Sequence, residues 1–145
     1  MSMIKVQSEK FDVGLELANL KSARTDIGAF ALFVGSVRDA ESLTLEHYPG
    51  MTEAALAEIA EAAKARWPLQ DVLIIHRFGK MLAGEDIVLV ITASAHRKAA
   101  FEACEFLMDW LKTKAPFWKL EEVAGASTWV DAKASDDDAA ARWNT

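Results

Sequence analysis

Residues Leu111–Glu121 read Leu-Lys-Thr-Lys-Ala-Pro-Phe-Trp-Lys-Leu-Glu. They place Lys112, Lys114 and Lys119 around a proline, with Phe117 and Trp118 between the second and third amines. Pro116 lacks an N–H and disfavours the α region for the residue before it, so a helix is expected to end at Ala115. Lys112 then stands on the last helical turn and Lys119 just past the break. Two amines at one corner, beside aromatic walls, can hold an anion or do amine chemistry. The same residues also fit a lysine-rich helix C-terminus favoured by the helix dipole, and the segment alone does not separate the two readings.

A second cationic group, His96-Arg97-Lys98, opens the same helix, with Ser94 as the expected N-cap. Cations at that end oppose the helix dipole. They fit either an anion site built from Arg97 and the first backbone N–H groups or solvated surface charges. Arg38 ends an apolar strand, where a guanidinium can grip a phosphate or carboxylate in two-pronged fashion or simply pair with Asp39. His76-Arg77, at the end of another strand, is given a structural role. Arg97 and Lys112 are fifteen positions apart, hence about 22 Å along one helix. A small substrate does not touch both in one chain. Either one of them is uninvolved, or a neighbouring subunit's helix completes the site, which implies a symmetric dimer with two composite sites.

These side chains need a scaffold, and the pattern predicts an α+β domain occupying residues 1–145. Strands are expected at Ile4–Gln7, Gly28–Val37, Leu43–Tyr48, Asp71–Phe78, Ile87–Ala93, Trp118–Val123 and Ser127–Val130, the fourth and fifth joined by a turn through Gly79 and Gly84-Glu85. A short helix is expected at Val13–Leu20. Two principal helices, Met51–Trp67 and about Ala95–Lys114, pack on the sheet, the second through a buried stripe of Phe101, Cys104, Met108 and Leu111. Asp136, Asp137 and Asp138 are expected to start a final acidic helix. At 145 residues the chain can bury a real core, and its 52% hydrophobic and 26% charged content is that of an ordinary soluble globular protein.

The net charge of −6 argues against nucleic-acid binding through a broad basic face, while leaving room for a local cation cluster. No apolar run approaches the ~20 residues that span a bilayer, and the N-terminus has no signal-peptide layout. The single cysteine, Cys104, suits a reducing cytoplasm and falls on an apolar stripe as a core residue. Three dispersed histidines give no metal-ligand spacing, and no phosphate loop, zinc-protease or nucleophile-elbow motif is present.

Taken together, Phe33-Val-Gly-Ser-Val-Arg38, Leu45-Glu-His-Tyr-Pro-Gly-Met51, Ile75-His-Arg-Phe-Gly79, Ser94-Ala-His-Arg97 with Ala100-Phe101, and Leu111–Lys119 resemble the MoaE family, the large catalytic subunits of molybdopterin synthase. The resemblance covers nearly the whole chain. It implies an α/β-hammerhead with an added antiparallel β portion. It also implies conversion of cyclic pyranopterin monophosphate (precursor Z) to molybdopterin by installing two dithiolene sulfurs. The sulfur donor would be a small ubiquitin-like partner whose C-terminal Gly-Gly ends as a thiocarboxylate, in a heterotetramer around a large-subunit dimer. No cofactor or metal is implied.

Carried over by motif, Lys112 and Lys119 are the catalytic candidates, and Arg38, His96 and Arg97 bind the pterin phosphate region. Ser36, Val37, Leu120 and Glu121 contact substrate, and Phe33 supports the pocket wall. Lys112 takes the more intimate role and Lys119 the orienting one, with crowding among the cations expected to depress one amine's pKa. The chain departs from the family at two places. Only Asp39-Ala-Glu-Ser42 separate Arg38 from Leu43 where the family usually has a longer loop, so no contact is assigned to that loop, and Ser36 stands where some relatives carry a lysine. Two other readings use the same residues: a binding module that captures a Gly-Gly-tailed protein or an anionic metabolite without turnover, and a structural subunit in which the cations do not converge.

Overall fold

The computed structural model describes residues 2–130 and 140–143. In chain order these form β1 (Ser2–Gln7), α1 (Val13–Lys21), β2 (Ala29–Ser36), β3 (Ser42–His47), α2 (Met51–Arg66), β4 (Leu69–Arg77), β5 (Gly79–Leu82), β6 (Asp86–Ser94), α3 (Arg97–Lys114), β7 (Phe117–Val123) and β8 (Ala126–Val130). Among the described residues no helix is long and apolar enough to cross a membrane.

Two four-stranded sheets result, ordered β1-β4-β6-β2 and β5-β3-β7-β8. In the first, β1 runs parallel to β4 and the other pairings are antiparallel. Its two faces carry different cores, as alternation along a strand requires. Val72, Ile74, Val88 and Val90 pack under α2 and α3 with Leu56, Ile59, Leu107 and Leu111. On the opposite face, Leu73, Ile75, Leu89 and Ile91 meet Phe11, Val13, Leu17 and Leu20 around α1. The second sheet buries Leu43, Leu45 and Met81 with Val37.

Three expectations needed correction. The segment Gly79–Leu82, expected as part of a turn, is strand β5, because Gly79 adopts φ +90° and sends the chain from the first sheet onto β3 of the second. Ser94 does not cap α3. The β6 ladder runs on to pair Ser94 with Ala29 and Leu69, its Oγ donates to the Pro68 carbonyl at 2.9 Å, and His96 becomes the N-cap. Phe101 is 64% exposed; Ala100 takes the inner position, where Thr92 Oγ1 donates to its carbonyl at 2.6 Å and draws the first turn of α3 onto the sheet.

The expected start of the acidic helix, Asp136–Asp138, lies outside the described residues. Ala140–Trp143 return to the α2–α3 layer. There the Trp143 ring meets Trp67 and Phe106 edge-on, its Nε1 donates to Asp109 at 2.6 Å, and Arg66 lies over all three rings.

Candidate active site

The corner after α3 is built as its sequence demands. The helix ends at Lys114, and Ala115 (φ −74°, ψ 125°) has the extended backbone that a following proline requires. Thr52 Oγ1, at the start of α2, donates to the Pro116 carbonyl at 3.0 Å and itself accepts from the Tyr48 N–H at 3.0 Å. Thr52 is fully buried. One hydroxyl therefore ties the β3–α2 turn to the exit of α3.

From this anchored corner β7 runs antiparallel to β3, with Phe117 opposite His47, Lys119 opposite Leu45 and Glu121 opposite Leu43. Directly opposed residues share a face. Leu43, Leu45 and Phe117 belong to the apolar cluster of that sheet, so Lys119 and Glu121 project on its inner side. Leu120 and Trp118 take the other face. Lys112 is exposed on the last turn of α3 and Lys119 half-buried on β7. Lys114, on a different side of the helix, places its ammonium 5.3 Å over the Trp110 ring.

The two lysines meet electrostatically at His76. This imidazole, 6% exposed on β4, stacks on Phe117 with ring centroids 3.8 Å apart and planes 19° from parallel. Burial, then the charges of Lys112, Lys119 and His47, push its pKa down to about 4 against a carbonyl contact that opposes the shift. His47 in turn stacks on Phe78 at 4.2 Å. The corner thus has an aromatic floor as well as amines. Sequence reasoning named Phe117 as a wall but assigned His76 to structure alone; a histidine in an otherwise apolar strand, ending level with the lysine corner, was the available signal.

Arg77, next to it, fits its structural reading. Its guanidinium is buried, donating to the Ser8 carbonyl at 3.0 and 3.2 Å, to Glu85 at 3.3 Å and to the Asp86 carbonyl at 3.1 Å. The Leu82 N–H and this guanidinium hold the Glu85 carboxyl below the usual carboxylate range. Cys104 is a core thiol, pushed up to about 11 by burial and by Glu105.

The remaining candidates stand on β2, just after it, and at the start of α3. Arg38 is 84% exposed and paired with Asp39 at 3.3 Å. Ser36 Oγ donates to Asp86 at 2.7 Å. Val37 lies in the apolar cluster of the second sheet, with its N–H bonded to the Glu85 carbonyl and its own carbonyl taken by the Gly84 N–H. Phe33 is partly exposed on β2 beside Gly35, where an added Cβ would meet the Phe33 ring at 3.2 Å and Val88 at 2.9 Å. His96 and Arg97 are exposed at the start of α3, where no side chain caps the helix and no acid occupies the first turn. The helix is unbroken from Arg97 to Lys114, so this chain keeps Arg97 and Lys112 a helix length apart. Among the described residues no three His, Cys, Asp or Glu side chains are grouped to hold a metal ion.

A family model described as MoaE protein matches residues 6–114. The molybdopterin synthase catalytic subunit of Ralstonia nicotianae is 53% identical over 99% of this chain and 85% of that protein. Among solved structures, molybdopterin cofactor biosynthesis protein E from Burkholderia multivorans superposes with a TM-score of 0.87 at 52% identity, covering 100% of this chain and 98% of that one. Molybdopterin synthase from Staphylococcus aureus does so with a TM-score of 0.80 at 29% identity, over 88% and 96% of the two chains. The mixed α+β architecture expected from the sequence is the one these structures share. The chain belongs to the MoaE family, and the relative it matches at 53% identity is a molybdopterin synthase catalytic subunit.

Proposed function

We propose that this chain is the catalytic subunit of a molybdopterin synthase, a sulfurtransferase that converts cyclic pyranopterin monophosphate to molybdopterin. Two sulfurs come from the C-terminal thiocarboxylate of a small ubiquitin-like partner, in a heterotetramer built around a dimer of this chain. The observation that carries the reading is the proline corner itself, where Lys112 stands on the last turn of α3 and β7 leaves with Lys119 on the same face as Phe117, in a chain that matches the MoaE family model. Both substrates are anionic, and a local cation pair draws them together in a protein of net charge −6.

The chemistry follows from charge. The thiocarboxylate sulfur bonds to a substrate carbon as that carbon's bond to oxygen breaks and the oxygen leaves, so the partner is held as a thioester. Water then cleaves the acyl C–S bond through a tetrahedral oxyanion, which frees the partner's carboxylate and leaves the sulfur on the pterin. Positioned ammonium groups stabilise such an oxyanion, which is the role assigned to Lys112. Lys119, half-buried beside Phe117 on the inner face of β7, orients the pterin. Arg38, His96 and Arg97 hold the phosphate, the last two supplied by the opposite subunit. Ser36, Val37, Leu120 and Glu121 contact the substrate and Phe33 supports the wall. The reducing cytoplasm suits both the thiocarboxylate and the dithiolene product.

Reconstitution tests the reading. The chain, mixed with thiocarboxylated partner and precursor, is expected to yield the dithiolene product, and Lys112→Ala is expected to abolish it without loss of partner binding. Capture of the partner with no product from the unaltered chain would make this a binding module instead.

A further inference from the structure

His76 is a buried polar ring to which the chemistry above gives no task. Its Nδ1 lies 2.9 Å from the Arg77 carbonyl oxygen, an atom that only accepts. In the neutral ring the proton therefore sits on Nδ1, and Nε2 keeps its lone pair. The charges of Lys112 on α3 and Lys119 on β7 act on the ring, and it stacks on Phe117, which lies opposite His47 of β3 and shares a strand face with Lys119. Together with burial those charges keep it neutral at physiological pH. Its flat contact with Phe117 touches the first residue of the strand that bears Lys119. A site needing only an apolar floor would be served by another phenylalanine, because burying an imidazole is costly unless its polar atoms find partners. One nitrogen has the Arg77 carbonyl.

We propose that His76 is the positioning residue of the lysine pair. Its unprotonated Nε2 accepts a hydrogen bond from the ammonium of Lys112 or Lys119, directly or through one water, and its stack on Phe117 fixes the direction in which β7 leaves the proline corner. The inference deepens the reading of the corner as the sulfur-transfer site, on which it rests, by naming the group that positions the amines there. An acceptor favours the ammonium form, so its removal lowers the lysine's pKa.

The test uses His76→Phe, which keeps an aromatic ring and removes both nitrogens, and His76→Gln, which restores an amide acceptor and donor. Lysines are labelled by reductive ¹³C-methylation and titrated by NMR in the full-length chain. In His76→Phe the midpoint of Lys112 or Lys119 is expected to fall by about half a pH unit or more, while that of exposed Lys98 stays put. In the reconstituted enzyme the alkaline limb of the kcat profile moves by the same amount. There kcat drops about tenfold, KM for the pterin changes less than about twofold, and His76→Gln recovers most of the loss. Unchanged lysine midpoints and an unchanged pH profile would reduce His76 to packing, whatever happens to Tm. Should His76→Phe fail to fold, the ¹⁵N shifts of the unaltered His76 ring decide: a proton on Nε2 at neutral pH overturns the proposal, and a bare Nε2 supports it. The lysine titration needs no turnover, so it stands or falls separately from the assignment of the reaction.

Discussion

The two ends of α3 carry cations of similar number and opposite construction. At the C-terminal end Lys112 belongs to an anchored corner, with a proline exit, a buried threonine staple, and an imidazole stacked on Phe117. The helix dipole there favours positive charge. At the N-terminal end His96, Arg97 and Lys98 are exposed, no side chain caps the helix, and the dipole opposes them. The first end is preorganised within one chain, as groups that meet developing charge should be. The second is an unfinished surface, suited to an anion that arrives with another subunit's corner. On the proposed reading, one helix serves two sites without its ends ever meeting.

The sharpest way to break this contrast is at the preorganised end. Lys112→Ala is expected to lower the rate of dithiolene formation by about 10²–10³-fold or more at saturating precursor, measured as product in single turnover. Next comes the split itself. Lys112→Ala and Arg97→Ala, each inactive or nearly so alone, are expected to recover about a quarter of normal activity when mixed and allowed to exchange subunits, because half the dimers are then mixed and each has one intact composite site. Activity that stays at the level of the separate variants would place both residues' work within one chain, or remove Arg97 from it.

Lys119→Ala is expected to act mainly on precursor binding, raising KM by about tenfold with a smaller fall in kcat. Two stability effects are smaller. His76 has its pKa depressed to about 4 in the fold against about 6.5 when unfolded. The unfolded chain therefore binds the extra proton between those values, and stability is lost as pH falls through that window. The loss should be about 2 kcal/mol between pH 7 and pH 5, absent in His76→Phe, as read by urea unfolding. Thr52→Ala removes the hydroxyl that serves both Tyr48 and Pro116, and should cost about 1–3 kcal/mol, seen as a lower Tm with secondary structure unchanged.

The same contrast explains what could be read from the sequence. Pro116, the helical periodicity of Met51–Arg66 and the apolar runs of β4 and β6 announce themselves locally, because proline chemistry and alternation act over a few residues. The corner's lysines and Phe117 were legible for that reason. His76 was not, since its role depends on β4 ending beside a strand some forty positions later in the chain. β5 escaped because Gly79 hands the chain to a different sheet, and nothing in four residues says which partner they will find. Ser94 is a good cap by type, and the ladder to Ala29 and Leu69 overrode that preference. Phe101 was misplaced because its spacing fits the stripe, while it is Ala100 that takes the inner position against the sheet.

The pairing of Leu45 with Lys119 joins residues seventy-four positions apart. Loop closure of that span is entropically slow compared with local pairing. β3 can zip onto β5 as soon as the chain reaches Leu82, but the strand carrying Lys119 is synthesised much later. A ribosome-bound chain short of β7 therefore has every strand of the first sheet and no lysine corner. On the proposed function, the order of synthesis itself would keep incomplete copies from gripping a thiocarboxylate they cannot use.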